Sequence, residues 1–240
     1  MNPGVFLTAQ WRMLVFLNYE VNPAILAPLA PRGTELDCWK GKAFASLVGF
    51  QFLDARLRGV AIPFHRNFEE VNLRFYVRRQ TPEGWRRGVV FIKELVPRLA
   101  IASVARWIYN ENYHALPMRH KVEQPAPDFP PTVEYTWRLG GRWQSLRAAA
   151  AGPAALPAPG SLEEFITEHY WGYTAQRDGG TLEYQVEHPR WPVWLAARSS
   201  FDGNVARLYG PQFVEPLSQK PASAFVAAGS EVGVSKGIRL

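Results

Sequence analysis

One cysteine, Cys38, stands in the whole chain, which excludes an internal disulfide and makes a reducing cytoplasm the simplest setting. The five histidines form no HxH or HxxxH pair, and no Cys/His cluster has the spacing of a zinc set, so no metal is expected. Long apolar runs are missing too. Arg12 interrupts the stretch from Phe6 to Tyr19, Glu20 ends it and no basic segment precedes it, so neither a signal peptide nor a membrane span is expected. The Gly-Gly pairs lack the following helix and lysine of a phosphate loop, and no cofactor is implied. Ser145 and Ser199-Ser200 lack the setting of a nucleophile elbow, and Cys38 beside Trp39 reads as a core residue. No repeat of fixed period is found, which argues against a propeller or solenoid.

What is present is an apolar content of 47%, enough to build a core, in a length that suits one domain over residues 1–240. Lys and Arg exceed Asp and Glu by 27 − 21 = 6. These cations are scattered, with only short pairs such as Arg78-Arg79 and Arg86-Arg87, so they predict a basic surface and not a nucleic-acid stripe. A net positive charge also suits an anionic small molecule, which needs only one or two buried cations.

Alternation and turn residues place strands at Glu35–Trp39 and Ala43–Phe52 around Lys40-Gly41-Lys42. A second hairpin joins 68–78 to Gly88–Leu95 through Thr81-Pro82-Glu83-Gly84. Thr132–Leu139 and Trp143–Arg147 flank Gly140-Gly141, and Tyr170–Gln176 and Thr181–His188 flank Asp178-Gly179-Gly180. The tail 222–235 reads as extended, and the Ala/Pro-rich run 148–160 reads as a loop. Asn22-Pro23 and Ser161 open short helices. Helical spacing of Leu99, Ala102, Val104, Ala105, Trp107 and Ile108 predicts one substantial helix over 98–113. The total, about nine or ten strands, is a mainly β (α+β) chain whose antiparallel sheet curls into a barrel or stacks as a sandwich.

The strand at 68–78 is the most informative. Val71, Leu73, Phe75 and Val77 share one face, and Glu70, Asn72, Arg74, Tyr76 and Arg78 share the other. Pointed inward, that second face is a recognition surface for a small polar ligand; pointed outward, it is a solvated edge. In the inward reading Glu70, Asn72, Arg74 and Tyr76 form an interior polar lining in which Arg74 holds a carboxylate bidentately and Glu70 or Tyr76 handles a proton. The same charges serve equally as a network that fixes the sheet. Lys93 is a nucleophile or base if buried, or half of a surface pair with Glu94. Tyr109, Glu111, Tyr113 and His114 offer a proton donor and gate, or simple packing. Glu168 does not orient its neighbour His169, because adjacent strand residues point to opposite faces.

Several runs carry a resemblance: 36–43 (Leu-Asp-Cys-Trp-Lys-Gly-Lys-Ala), 68–77 (Phe-Glu-Glu-Val-Asn-Leu-Arg-Phe-Tyr-Val) and 87–91 (Arg-Gly-Val-Val-Phe). Ala100-Ile101-Ala102 with Arg106, Thr167-Glu168-His169-Tyr170, and His188-Pro189 with Trp191 extend it. Together they resemble the YqjF-like family, bacterial proteins of unknown function that are distantly similar to acetoacetate decarboxylase. The resemblance implies an antiparallel β-barrel or β-cone with a helix beside it. Acetoacetate decarboxylase uses a Schiff-base lysine after a helix that begins with an Ala-Ile-Ala-like run. Here that path leads from Ala100-Ile101-Ala102 to Asn112-Tyr113-His114, with no lysine, so the mechanism does not carry over; Lys93 is the candidate substitute.

Three functions follow. The first is binding of a small polar or anionic molecule inside the barrel through Glu70, Asn72, Arg74 and Tyr76. The second is an enzyme acting on a carbonyl or carboxylate compound, with Lys93, Glu70 or Tyr113 as catalytic candidates. The third is a scaffold with a satisfied polar core. The expected partner is a small molecule, with neither nucleic acid nor membrane, and homo-oligomerisation stays open.

Overall fold

The computed structural model describes residues 5–61, 66–97 and 112–240. In chain order the strands are β1 (Val5–Glu20), β2 (Glu35–Leu36), β3 (Phe44–Leu57), β4 (Val60–Ala61), β5 (Phe68–Thr81), β6 (Gly84–Val96), β7 (Tyr113–Ala115) and β8 (Met118–Glu123). They continue with β9 (Thr132–Leu139), β10 (Arg142–Ala150), β11 (Trp171–Ala175), β12 (Thr181–Glu187), β13 (Val193–Asp202), β14 (Ser223–Ser235) and β15 (Ile238–Arg239). The α-helices are short: α1 (Pro23–Leu26), α2 (Leu162–Thr167), α3 (Val205–Tyr209) and α4 (Val214–Ser218). The expected substantial helix at 98–113 falls almost wholly outside the described residues, and Tyr113 itself opens β7. Among the described residues the longest helix, α2, has six residues, and none is long and apolar enough to cross a membrane.

Local chemistry accounts for many of these boundaries. Asn22 accepts from the Ala24 N–H, with Pro23 at the first helical position, so α1 starts where expected. Gly140 and Gly141, both with positive φ, make the two-residue turn between β9 and β10. Ser161 accepts from the Glu164 N–H and starts α2. Cys38 departs from expectation: it is exposed, because β2 ends at Leu36 and the chain turns at Lys40, whose φ is 50°.

The strands form one mostly antiparallel sheet in the order β15-β12-β11-β6-β5-β3-β1-β14-β13-β10-β9-β8. A further pairing, Val186 with Val234 and Glu187 with Gly233, joins β12 to β14. The hydrogen bonds therefore return on themselves through β14, β12, β11, β6, β5, β3 and β1. Strands β13, β10, β9 and β8 continue outward from β14 as a wing.

Two cores lie on opposite faces of the β1-β3-β5 strip. In the first, Val15, Leu17, Leu47, Val71, Leu73, Phe75 and Val77 pack with Tyr135, Trp137 and Leu146 of the wing, and with Leu208 and Phe213. In the second, Leu14, Phe16, Val48, Phe50 and Tyr76 pack with Val89, Phe165, Ile166, Trp191 and Phe225. Burial of a strip on both faces produces continuous apolar runs instead of alternation. This explains why β1 gives no clear strand signal in sequence: Leu14 to Leu17 are all buried, and a bulge at Met13 (φ 52°) resets the phase. Gly229, opposite that bulge, has φ 79°, and a Cβ there would lie 2.0 Å from the Trp11 carbonyl oxygen.

Candidate functional site

The polar face of β5 turns into the second core. Glu70, Asn72 and Tyr76 are buried and Arg74 is half-buried, so this face is not a solvated edge. Cross-strand partners share a face of a sheet. Asn18 of β1, Ser46 of β3 and Arg74 of β5 therefore form one row. Phe16, Val48, Asn72, Glu94 and Tyr113 form the next, across β1, β3, β5, β6 and β7.

The hydrogen bonds in these rows have a readable direction. Ser46 donates its hydroxyl proton to Asn18 Oδ1 at 2.6 Å, so it accepts from Tyr76, 2.6 Å away. The Tyr76 proton is thus committed to Ser46, and burial raises the phenol pKa further. Asn72 Nδ2 donates to Glu70 Oε1 at 2.9 Å. Arg74 lies over the rings of Phe16 (5.2 Å) and Tyr76 (5.9 Å). Among the described residues no carboxylate pairs with it, and its Nε is buried without a partner. Trp11 Nε1, Asn18 Nδ2, Asn72 Oδ1 and His169 Nδ1 are likewise buried and unpartnered among the described residues.

Of the catalytic candidates, Glu70 and Tyr113 lie on this face and Lys93 does not. Lys93 pairs with Leu73, and a bulge before Arg74 puts Phe91 opposite Arg74. Lys93 therefore shares the Leu73 face, where burial lowers its pKa. The surface-pair reading of Lys93 and Glu94 is corrected: Glu94 is buried on the Asn72 face, pointing away from its neighbour.

Next to Tyr76 stands a cluster that sequence reasoning missed. The Asp37 N–H donates to the Tyr76 carbonyl at 3.0 Å, fixing Asp37 beside β5. Its carboxylate Oδ2 accepts from Arg87 Nε at 2.6 Å and from His169 Nε2 at 3.0 Å. His169 follows α2, whose Phe165 and Ile166 are anchored in the second core. Its ring lies 4.6 Å from that of Tyr76 and 5.0 Å from that of Phe165. Glu168 points elsewhere, accepting from the Tyr170 hydroxyl at 2.7 Å. The only signal for the dyad was that Asp37 and His169 both lie in runs of the family resemblance; 132 residues of chain separate them.

Burial pushes the Asp37 carboxyl upward, but hydrogen bonds from His169 and Arg87 outweigh it and hold the group below its usual range. Burial, aided by the Arg87 and Arg74 charges and opposed by Asp37, lowers His169 from 6.5 to about 4. His169 is therefore neutral at pH 7. The unfolded chain takes up this proton first as pH falls, so stability present above pH 6.5 is lost as pH drops towards 4. The expected loss is about 2 kcal/mol between pH 7 and pH 5. Urea midpoints across that window check it, and His169→Phe should flatten most of the slope. His188, also lowered by burial, accounts for a remainder of the same sign. An unchanged slope in the variant would exclude His169 as the titrating group. Among the described residues no three His, Cys, Asp or Glu side chains converge as a metal set.

With this geometry in view, the chain can be set beside known proteins. The DUF2071 family, described as an uncharacterized conserved protein, matches residues 8–231. Uncharacterized protein YqjF of Bacillus subtilis (strain 168) is 29% identical over 198 residues, covering 80% of this chain and 76% of YqjF. The crystal structure of acetoacetate decarboxylase from Legionella pneumophila superposes with a TM-score of 0.66 at 13% identity, covering 99% of this chain and 88% of that one. The enduracididine biosynthesis enzyme MppR complexed with pyruvate gives 0.63 at 13% identity, over 100% and 91% of the two chains. At such identities the structural likeness shows the fold.

Proposed function

The chain belongs to the DUF2071 family, and from that premise we propose that it binds a small carboxylate inside the circuit of strands, which we read as a barrel or cone. One observation carries this reading: among the described residues no carboxylate pairs with Arg74, and its Nε is buried without a partner on a face rich in buried polar atoms. A half-buried arginine without a carboxylate partner leaves part of its desolvation uncompensated, and an anionic ligand supplies the missing charge in bidentate geometry. Asn72, with Glu70 as its acceptor, orients the other end of the ligand, and Tyr76 packs beside it. These five polar atoms, unpartnered among the described residues, count against a scaffold with a satisfied core.

Pyruvate is the natural first probe, since the similarly folded MppR has been captured with it. Titration calorimetry of the full chain should detect saturable binding, and Arg74→Met should weaken it about 100-fold through loss of charge-assisted hydrogen bonds. Equal binding by the variant would sink the reading.

The second reading is an enzyme acting on a carbonyl or carboxylate compound, without the decarboxylase lysine. The buried acid-imidazole pair of Asp37 and His169 favours it, whereas Lys93 on the opposite face supports it little. The expected partner is a small molecule and not nucleic acid, in the cytoplasm.

A further inference from the structure

The polarity of the unpaired atoms narrows the ligand class, resting on the carboxylate-binding reading above. His169 Nε2 faces a carboxylate oxygen of Asp37 at 3.0 Å, so that nitrogen carries the ring proton. In the neutral ring Nδ1 is then an acceptor only. It is buried, and no group among the described residues donates to it. Tyr76, the nearest hydroxyl-bearing ring, cannot do so, because its proton is committed through Ser46 to Asn18. Arg74 Nε and Asn18 Nδ2 have the opposite character, as donors without acceptors among the described residues. An occupant that satisfies both sets presents acceptor oxygens to Arg74 and Asn18 and a donor to His169.

We infer that the site takes a hydroxycarboxylate, its carboxylate on Arg74 and its hydroxyl donating to His169 Nδ1. A 2-oxo acid offers only a carbonyl oxygen at that point, which sets two acceptors against each other and leaves the buried nitrogen unmet. An amino acid offers a donor, but its ammonium carries a charge that has to be desolvated beside the Arg74 guanidinium, at a cost a neutral hydroxyl does not incur. The neutral hydroxyl meets both conditions.

Three probes of one carbon skeleton separate these cases: racemic lactate, pyruvate and alanine, titrated calorimetrically against the full chain. Lactate should bind at least about tenfold more tightly than pyruvate or alanine, the scale of one unmet buried acceptor. His169→Phe keeps the ring packing on Tyr76 and Phe165 while removing the acceptor, and should bring lactate and pyruvate to within about twofold of each other. Pyruvate or alanine binding as tightly as lactate to the unaltered protein overturns the inference and leaves carboxylate binding standing. A lactate preference that survives His169→Phe also overturns it. If none of the three binds, the carboxylate-binding reading falls, and the inference falls with it. Should His169→Phe not fold, the ranking on the unaltered chain decides alone.

Discussion

Asp37→Ala is expected to lower stability by about 2–4 kcal/mol, seen as a shift of the urea midpoint at constant slope. The carboxylate is buried and holds two donors at once, Arg87 Nε and His169 Nε2. Removing it leaves both unmet. The full cost of breaking a buried ion pair is about 3–5 kcal/mol. Arg87 keeps 35% of its side chain exposed, so its charge regains some water and the expectation moves down. Asp37→Asn tests the electrostatic part separately. Its amide oxygen can stand where both donors converge on Oδ2, but without the negative charge the His169 proton is held less firmly on Nε2. Nitrogen-resolved NMR of His169 should show the unaltered protein neutral with Nε2 protonated at pH 7, and a mixture of tautomers in Asp37→Asn. A midpoint for Asp37→Ala within error of the unaltered protein would mean the trio does not support the fold.

Much of the sheet was legible because its hairpins are local. Gly140-Gly141 and Asp178-Gly179-Gly180 sit between alternating runs, and each joins the strands on either side of it. β1 was not legible, since a strand buried on both faces has no period and its bulge falls in mid-strand. The orientation of Glu70, Asn72, Arg74 and Tyr76 could not be decided by alternation either. Which face of β5 meets which core depends on the wing β8–β10 covering the other side, and on β12 reaching β14. The acid partner of His169 was hidden for a similar reason. Alternation set the neighbouring Glu168 aside but named no other acid, and the pairing is made where the chain leaving β2 meets the end of α2. Lys93 shows the limit from the other direction: simple alternation along β6 is altered by the bulge at Phe91 to Lys93, which only the register exposes.

Gly88→Ala should be among the most damaging single-methyl changes in the protein, because the circuit of strands is thin at that point. β6 and β11 are joined by only two register pairs, Trp171 with Gly88 and Gly172 with Val89. A Cβ on Gly88 would lie 2.6 Å from the Trp171 carbonyl oxygen and 2.6 Å from the Tyr173 ring. The first of these is backbone, which cannot rotate away, so β11 has to move. The Tyr170 N–H bond to the Arg87 carbonyl (3.2 Å) and the Tyr173 hydroxyl bond to the Arg86 carbonyl (3.3 Å) are strained by the same displacement. The expected cost is about 3 kcal/mol or more, a fall in Tm of roughly 6–12 °C for a chain of this size. Gly59→Ala is the control for loss of glycine alone: φ is 80° with open space around it, so only about 1–2 kcal/mol of backbone strain is expected. The change also reaches the site. His169 lies two residues before β11, and moving that strand opens its buried seat to water. Gly88→Ala should therefore raise the His169 pKa from about 4 towards the ordinary histidine range as burial is relieved, read by NMR titration of the folded variant. If Gly88→Ala melts like Gly59→Ala and leaves the His169 titration unchanged, the β6–β11 junction is not what positions the imidazole.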